Sequence, residues 1–367
     1  IWFGERIKGA LAGIVIWPVI IFFACSFLWT NEANNAHMID GLNEGKSSYR
    51  EVKLDSIDPN FENKLVHISG NATTSDILND SDFSLSVPAI KLSKKVEMYQ
   101  WKEEKKQESK DNYGGSSTTT TTYNYKKVWE DSSIDSSSFN QQAWHTNSSI
   151  WKYRDSTYSA NSVKIGAYSL TTPLIAMIEA NDPLDFTKYI PKINTGEIVT
   201  WGTIYVWKDI SIPEIGDLRV TFTVANNNIP ISILGKQSAN SLGSYIAKSW
   251  SDITRIDSGT KTAGEMFQAA EQENTILAWI FRVIGIICIF IGFSLFFKIL
   301  PMLAAIIPPL SWIVGAWVAL VSLILTVIVG WGIIVLAWFA YRPFLSVGIM
   351  IIMSLLVWGI YYKIHQK

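Results

Sequence analysis

The chain has 367 residues, 48% hydrophobic and 13% aromatic, with 31 Lys+Arg against 32 Asp+Glu and only 2 Cys. A formal net charge of −1 argues against a protein that grips polyanions through bulk positive charge, and two cysteines exclude a small scaffold stapled by disulfides. The apolar residues are gathered at the two ends, which excludes an ordinary soluble domain covering the whole length.

The first element in chain order is the uncharged run from Ala10 to Trp29, ALAGIVIWPVIIFFACSFLW. It is long enough to cross a hydrocarbon core about 30 Å thick. A cleaved signal has an apolar core of about 7 to 15 residues followed by a small-x-small site. This run is longer and leads into LWTNEANN, so it reads as a retained anchor.

Residues 32 to 275 have a different texture. They hold 24 basic and 31 acidic residues, a net charge of −7 that disfavours nucleic acid as a partner. Both cysteines, Cys25 and Cys288, lie outside this segment. Short alternating runs recur between turn residues: LVHISG (65–70), FSLSV (83–87), VEMYQW (96–101), YNYKKVW (123–129), IYVW (204–207), LRVTFTV (218–224) and IPISILG (229–235). Such alternation predicts a mainly-β domain. The stretch GGSSTTTTTYNYKKVW (114–129) resembles a flexible linker, but threonine is β-branched and favours strands. Tyr123, Tyr125, Lys127 and Trp129 share one face and can pair with Tyr99 and Trp101. The reading is a long hairpin whose return strand is TTTTTYNYKKVW and whose tip, around KEEKKQESKDNYGG, is exposed. Before the C-terminal block, Thr262 and Glu265 form a capping-box pattern, followed by Met266, Phe267, Ala270 and Asn274 at helical spacing. This is an amphipathic connecting helix.

Residues 276 to 367 contain no Asp or Glu. Leu277 to Phe297 is a second span, interrupted by Arg282. Met302 to Phe339 is too long for one crossing, and Pro308 and Pro309 are expected to break it. A short interfacial or re-entrant piece at 302–310 and a third span from Val314 to Ala340 follow. Pro343 opens a fourth span ending near Tyr361. The expected fold class is an α+β membrane protein with four transmembrane helices and a large mainly-β extracytoplasmic domain inserted between helices 1 and 2. Its expected parts are a first helix at 1–31, the β domain at 32–257, the connecting helix at 258–275 and the remaining spans at 276–367. Arg6, Lys8, Lys298, Lys363 and Lys367 then share one side, which the positive-inside tendency makes cytoplasmic. Trp29, Trp279 and Trp338 fall near the outer interface, and Trp2, Trp312 and Trp358 near the inner one.

The hairpin sequence, GDLRVTF (216–222), ENTILAWIFRVIG (273–285) leading to IGFSLFF, and AWFAYRP (337–343) together resemble the LUMA family, the transmembrane-protein-43-like proteins. The opening, ERIKGALAG through LWTNE, resembles the family's first span, but Thr30 separates Trp29 from Asn31 and Ala33 stands where the family has glycine. No role of that exit glycine carries over. The resemblance covers essentially the whole chain. It implies a four-span membrane protein with a large lumenal or extracytoplasmic domain, tied in eukaryotes to the endoplasmic reticulum and inner nuclear membrane and to self-association. It brings no catalytic residues. The expected setting is either that one or a bacterial inner membrane with a periplasmic domain.

The four histidines, His37, His67, His145 and His365, have no partner at metal-ligand spacing. No phosphate loop, G-x-S-x-G elbow or H-E-x-x-H occurs. Asp80 and Asp82 read as a solvated turn rather than a calcium loop. Asn71, Asn79 and Asn147 begin N-x-S/T triplets. No cofactor, metal or catalytic residue is expected. One constellation stands out. Asn31 and Glu32 leave the first span where Arg282 enters the second and Tyr341 and Arg342 end the third. An intramembrane arginine costs about 2.5 to 3.5 kcal/mol and so needs a partner. Either Arg282 pairs with Glu32 and Arg342 reaches headgroups, or the two arginines grip a lipid phosphate that Asn31, Glu32 and Tyr341 orient. Asp217 and Arg219 of GDLRVTF read as a turn and a structural ion pair or partner contact. A scaffold contacting membrane lipids, itself and further proteins ranks first, ahead of a lipid-acting enzyme. A channel or transporter ranks last because the spans lack an acid.

Overall fold

The computed structural model describes residues 3–194, 197–200, 202–206, 212–343, 346–348 and 351. Its α-helices include α1 (Phe3–Ser48), α2 (Thr172–Met177), α3 (Ala263–Phe297), α4 (Ile299–Ala304) and α5 (Pro308–Tyr341). By length and composition, α1, α3 and α5 can each cross a membrane. The mainly-β region lies between α1 and α3. Most of the expected fourth span, together with Trp2, Trp358, Lys363, His365 and Lys367, lies outside the described residues.

Small residues bring α1 and α3 together. A Cβ on Gly285 would stand 2.4 Å from Leu28 Cδ2, and one on Gly292 2.6 Å from Ile21 Cγ1. Ala24, Leu28 and Ile289 form the centre of the bundle, with Val329 and Ile333 of α5 packed against them. Lipid tails are as apolar as leucine, so close packing rather than water exclusion holds such helices side by side.

Several expected boundaries move. The first helix does not stop at residue 31 but runs on to Ser48. Its extension is supported because Leu42 joins Leu65, Leu234, Ile253, Met266 and Phe267 in a core shared by α1, the β region and α3. The connecting helix expected at 258–275 and the second span are likewise one element, α3, opened by the Thr262–Glu265 capping box. Residues 255–258 belong to a strand. The run from Met302 to Phe339 is interrupted as expected, between Ala304 and Pro308, and Pro308 and Pro309 open α5, whose first turn has no use for the missing N–H. The segment expected at 302–310 is thus shared between α4, the connection and the start of α5.

Each of the seven alternating runs contributes to a strand. In one sheet Leu65–Thr73 pairs antiparallel with Ile229–Ser238, which also pairs with Arg255–Ser258. A second sheet runs in the order Glu197–Thr200, Thr203–Val206, Leu218–Asn226, Ala89–Asp111, Ser117–Glu130. Along Leu218–Asn226, Leu218, Val220, Phe222 and Val224 are buried while Arg219, Thr221 and Thr223 are not, the period of two that a half-buried strand requires. The first sheet is packed on Val66, Ile68, Tyr168 and Ile233, the second on Phe83, Leu92, Val96, Val220 and Phe222.

The threonine stretch is a strand. It pairs with the preceding strand from Met98↔Glu130 to Asp111↔Ser117. Gly114 and Gly115 turn the chain at φ +89° and +81°, which side chains other than glycine resist. Tyr99 and Trp129 pack across the strands with ring centroids 5.1 Å apart and planes tilted by 43°. Most residues of the tip are exposed, as expected, and its turn is in addition held at the N-terminal end of α1. Arg6 donates to the Gly115 carbonyl at 2.8 Å and pairs with Asp111 at 2.8 Å. The Gly114 N–H donates to the Ile306 carbonyl at 3.1 Å, and Ser311 Oγ to Asp111 at 3.3 Å.

Candidate functional site at the bundle–domain junction

Helical spacing delivers the site. Asn31 and Asn35 are one turn apart on α1, and Asn274, Ala278 and Arg282 form a stripe on α3. Trp338 and Tyr341 lie a turn apart near the end of α5. At their meeting point Glu32 and Arg282 are both buried. Arg282 Nε and Nη2 donate to the two Glu32 oxygens at 2.6 and 2.7 Å. Trp338 Nε1 donates to Glu32 Oε2 at 2.8 Å, and Asn31 Nδ2 to Oε1 at 3.4 Å. Asn31 also reaches the Ala278 carbonyl at 3.2 Å. The guanidinium lies 4.8 Å from the Trp279 ring and 6.0 Å from that of Trp338.

Around this pair Trp29 Nε1 donates to Tyr341 Oη at 3.2 Å, and His37 packs edge-on to the Tyr341 ring. Arg342 donates to the Asn35 carbonyl at 3.4 Å, and Asn274 to Asn35 Oδ1 at 2.8 Å. Of the five residues expected at this interface, Asn31, Glu32 and Arg282 bond directly, while Tyr341 and Arg342 attach to the same stretch of α1 through Trp29, His37 and Asn35. The two arginines do not converge on one point, because the fork of Arg282 is occupied by Glu32. Trp338, Trp279, Asn35 and His37 were not assigned to the site from the sequence. Their signal was position: Trp338 and Asn35 lie one turn from Tyr341 or Arg342 and from Asn31. Beside the pair, a cavity of about 190 Å³ is lined by Phe27, Thr30, Asn34, Asn274, Leu277 and Phe281, among others.

The arrangement ties three helices through one carboxylate. Both oxygens of Glu32 are filled by directed donors, which is what a buried charge needs to be tolerated. Chemically this is a closed ion pair, with Glu32 presenting no open oxygen to a substrate.

The other singled-out residues lie elsewhere. Arg219 pairs with Glu97 at 2.6 Å and stands over the Trp129 ring at 4.9 Å. Asp217 accepts from the Glu214 N–H at 2.6 Å, shaping the turn before that strand. Between Asp80 and Asp82 sits the buried Lys94 ammonium, 2.7 Å from Asp80 and also paired with Asp82. A lysine takes the place a cation would need. No group of three or more His, Cys, Asp or Glu able to hold a metal occurs among the described residues. His67 is engaged by Glu51 at 2.7 Å and by the Lys261 carbonyl at 3.0 Å, and His145 stacks on Tyr125. The Asn147 side chain is committed to the backbone of Trp101 and Ile134.

Burial works against ionisation of Glu197, yet hydrogen bonds from Lys152, Tyr153 and Asn194 outweigh it and hold its carboxyl at about 2. Lys152 and Tyr153 each donate at 2.7 Å. This cluster braces the edge of the second sheet.

Comparison with known proteins bears on this arrangement. A family model described as transmembrane protein 43 matches residues 98–343, which include the hairpin, α3 and α5. A transmembrane protein 43 homolog of Drosophila melanogaster is 29% identical over 353 residues, covering 91% of this chain and 92% of that protein. Transmembrane protein 43 of Rattus norvegicus is 27% identical and that of Homo sapiens 26%, each over 81% of this chain and 76% of the relative. No solved structure matches. With the hairpin, the Arg282 helix and the Tyr341–Arg342 end all inside the matched region, the chain belongs to the transmembrane protein 43 family.

Proposed function

We propose that the chain is an integral membrane scaffold that self-associates and holds the body of its β domain rigidly against one face of a bilayer while the hairpin reaches toward the other. The observation that carries this reading is the Glu32–Arg282–Trp338 junction, which joins all three long helices and leaves no open oxygen on Glu32 for catalysis. The basic residues Arg6, Lys8 and Lys298 mark the opposite end of the bundle. They favour a cytoplasmic assignment there and a lumenal or periplasmic one for the β domain.

Self-association is supported by the hairpin. From Trp101 to Asp111 it extends about 33 Å, and α1 covers about 39 Å between Glu32 and Arg6. The hairpin therefore runs the length of the apolar bundle to reach its clasp. Its charged residues, among them Lys102, Glu104, Lys106 and Lys126, would each cost about 2 to 4 kcal/mol in hydrocarbon. Irregular or open-edged backbone at that depth needs protein or water around it. Copies of the same chain supply that enclosure. The test is the mass of the purified particle after subtraction of detergent: two or more copies of 41.2 kDa are expected, and a single copy overturns the reading. On the same reading a cysteine-reactive label at Tyr113 enters from the Arg6 side.

Lipid-headgroup binding is a second reading, favoured by the cavity lined by Asn31, Asn34, Asn35 and Asn274 together with Phe27 and Phe281. Phospholipid retained after purification is expected to fall in an Asn34→Leu, Asn274→Leu variant and to stay unchanged if the cavity is only a packing defect.

A further inference from the structure

The loop between the strands Ser241–Gly243 and Arg255–Ser258 is pinned to α1 step by step. Tyr245 Oη donates to Glu44 Oε1 at 3.0 Å, and the Lys248 N–H to Glu44 Oε2 at 3.0 Å. One residue later the Ser249 carbonyl meets His37 Nδ1 at 2.8 Å. Glu44 and His37 are two turns apart, about 10 Å along the helix, so the chain descends α1 toward the Glu32 layer. Trp250 comes next, and there the chain turns back. Its N–H donates to the Ala247 carbonyl at 2.9 Å, the Ala247 N–H to Ser251 at 2.9 Å, and Ile246 bridges Asp252. Trp250 is thus the tip of the loop on the bundle side.

Its conformation is unusual for a large side chain. Trp250 has φ +66° and is 87% exposed. A bulky residue in the left-handed region carries strain. Exposure means that burial in this chain does not offset it. Ile246, at 52%, and Lys248 are exposed beside it.

The position fits one occupant. Glu32, Arg282 and the Trp29–Tyr341 pair mark the edge of the apolar zone. The polar headgroup layer beyond such an edge is about 5 to 7 Å thick, and His37 stands about 7.5 Å above Glu32 along α1. A tip just below His37 falls in that layer. Indole is at its most favourable there, with its ring among the upper acyl carbons and its N–H in water, and a neighbouring lysine reaches phosphate. We propose that Ile246–Trp250 dips into the leaflet on the β-domain side as a second membrane contact, separate from the helices. The proposal rests on reading the Glu32 layer as the membrane edge.

The test uses the full chain with Cys25 and Cys288 replaced by alanine, carrying a single environment-sensitive fluorophore in phosphatidylcholine/phosphatidylglycerol vesicles. Labels go in turn to Trp250→Cys, Leu277→Cys and Lys164→Cys. Leu277, exposed on α3 near Arg282, reports the membrane edge itself, and Lys164 pairs with Thr73 at the end of its strand remote from Leu65. At position 250, quenching by headgroup-proximal spin-labelled lipid is expected, with iodide quenching about twofold or more below that at 164. A label at 250 that behaves like 164 while 277 is quenched by lipid overturns the loop proposal alone. Failure at 277 as well overturns the membrane-edge reading beneath it. Trp250→Gly relieves the left-handed strain and is expected to leave the melting temperature in detergent unchanged or raised. A clear loss there would instead make Trp250 a packing residue and contradict the proposal.

Discussion

Glu32 concentrates the energetics of the junction. Removing one member of a buried, hydrogen-bonded pair leaves an uncompensated charge and costs about 3 to 5 kcal/mol, whereas replacing both with apolar residues of similar size is far milder. Glu32→Ala or Arg282→Ala is therefore expected to lower unfolding free energy in detergent by about that amount, with Glu32→Met, Arg282→Met recovering most of it. A double-variant loss equal to the sum of the two single losses would show that the pair is not coupled. The positions of Asn31, Glu32, Arg282, Tyr341 and Arg342 were legible from where uncharged runs end. The pairing of Arg282 with Glu32 was one of two readings the sequence left open, because sequence gives a residue's depth and not the direction of its side chain; the bidentate geometry matches that reading. Glu197 makes a separate case. Its carboxyl is held at about 2 against 4.5 when free, so its contribution is complete above pH 4.5 and lost as pH falls through 2. Acid unfolding should steepen across that window by on the order of 2 to 3 kcal/mol. Glu197→Gln should flatten it.

Among the elements, the α1–α3 contact depends on what glycine omits. A side chain at Gly285 would collide with Leu28, which is fully buried. Gly285→Val is expected to cost about 1 to 3 kcal/mol by overpacking, measured by thermal unfolding, and a companion Leu28→Ala should recover part of it. The strands were legible from their period of two, and the hairpin from the aromatic alternation at Tyr99 and Trp129. Helix extents are not legible in the sequence, for one physical reason. Polar residues 32–48 and 263–275 mark where lipid ends, but a helix continues wherever a soluble face such as Leu42 or Phe267 finds a core. Prolines 308 and 309 mark the interruption of the long apolar run, and they do so from the first turn of the helix that follows. The tip's clasp on Arg6 joins residues more than a hundred positions apart, and nothing local in the sequence encodes it.

For the molecule as a whole, the polar extensions of α1 and α3 share the core around Leu42, Leu65 and Phe267, so the bundle and the body of the β domain are one construction. Its orientation across the bilayer is the claim on which the scaffold reading and the loop anchor both depend. The most direct test places single cysteines at Lys8 and at Lys164, both exposed, in the variant lacking Cys25 and Cys288, and treats sealed vesicles with a membrane-impermeant maleimide. Lys8→Cys and Lys164→Cys are expected to react from opposite faces. Reaction of both from the same face would contradict that orientation.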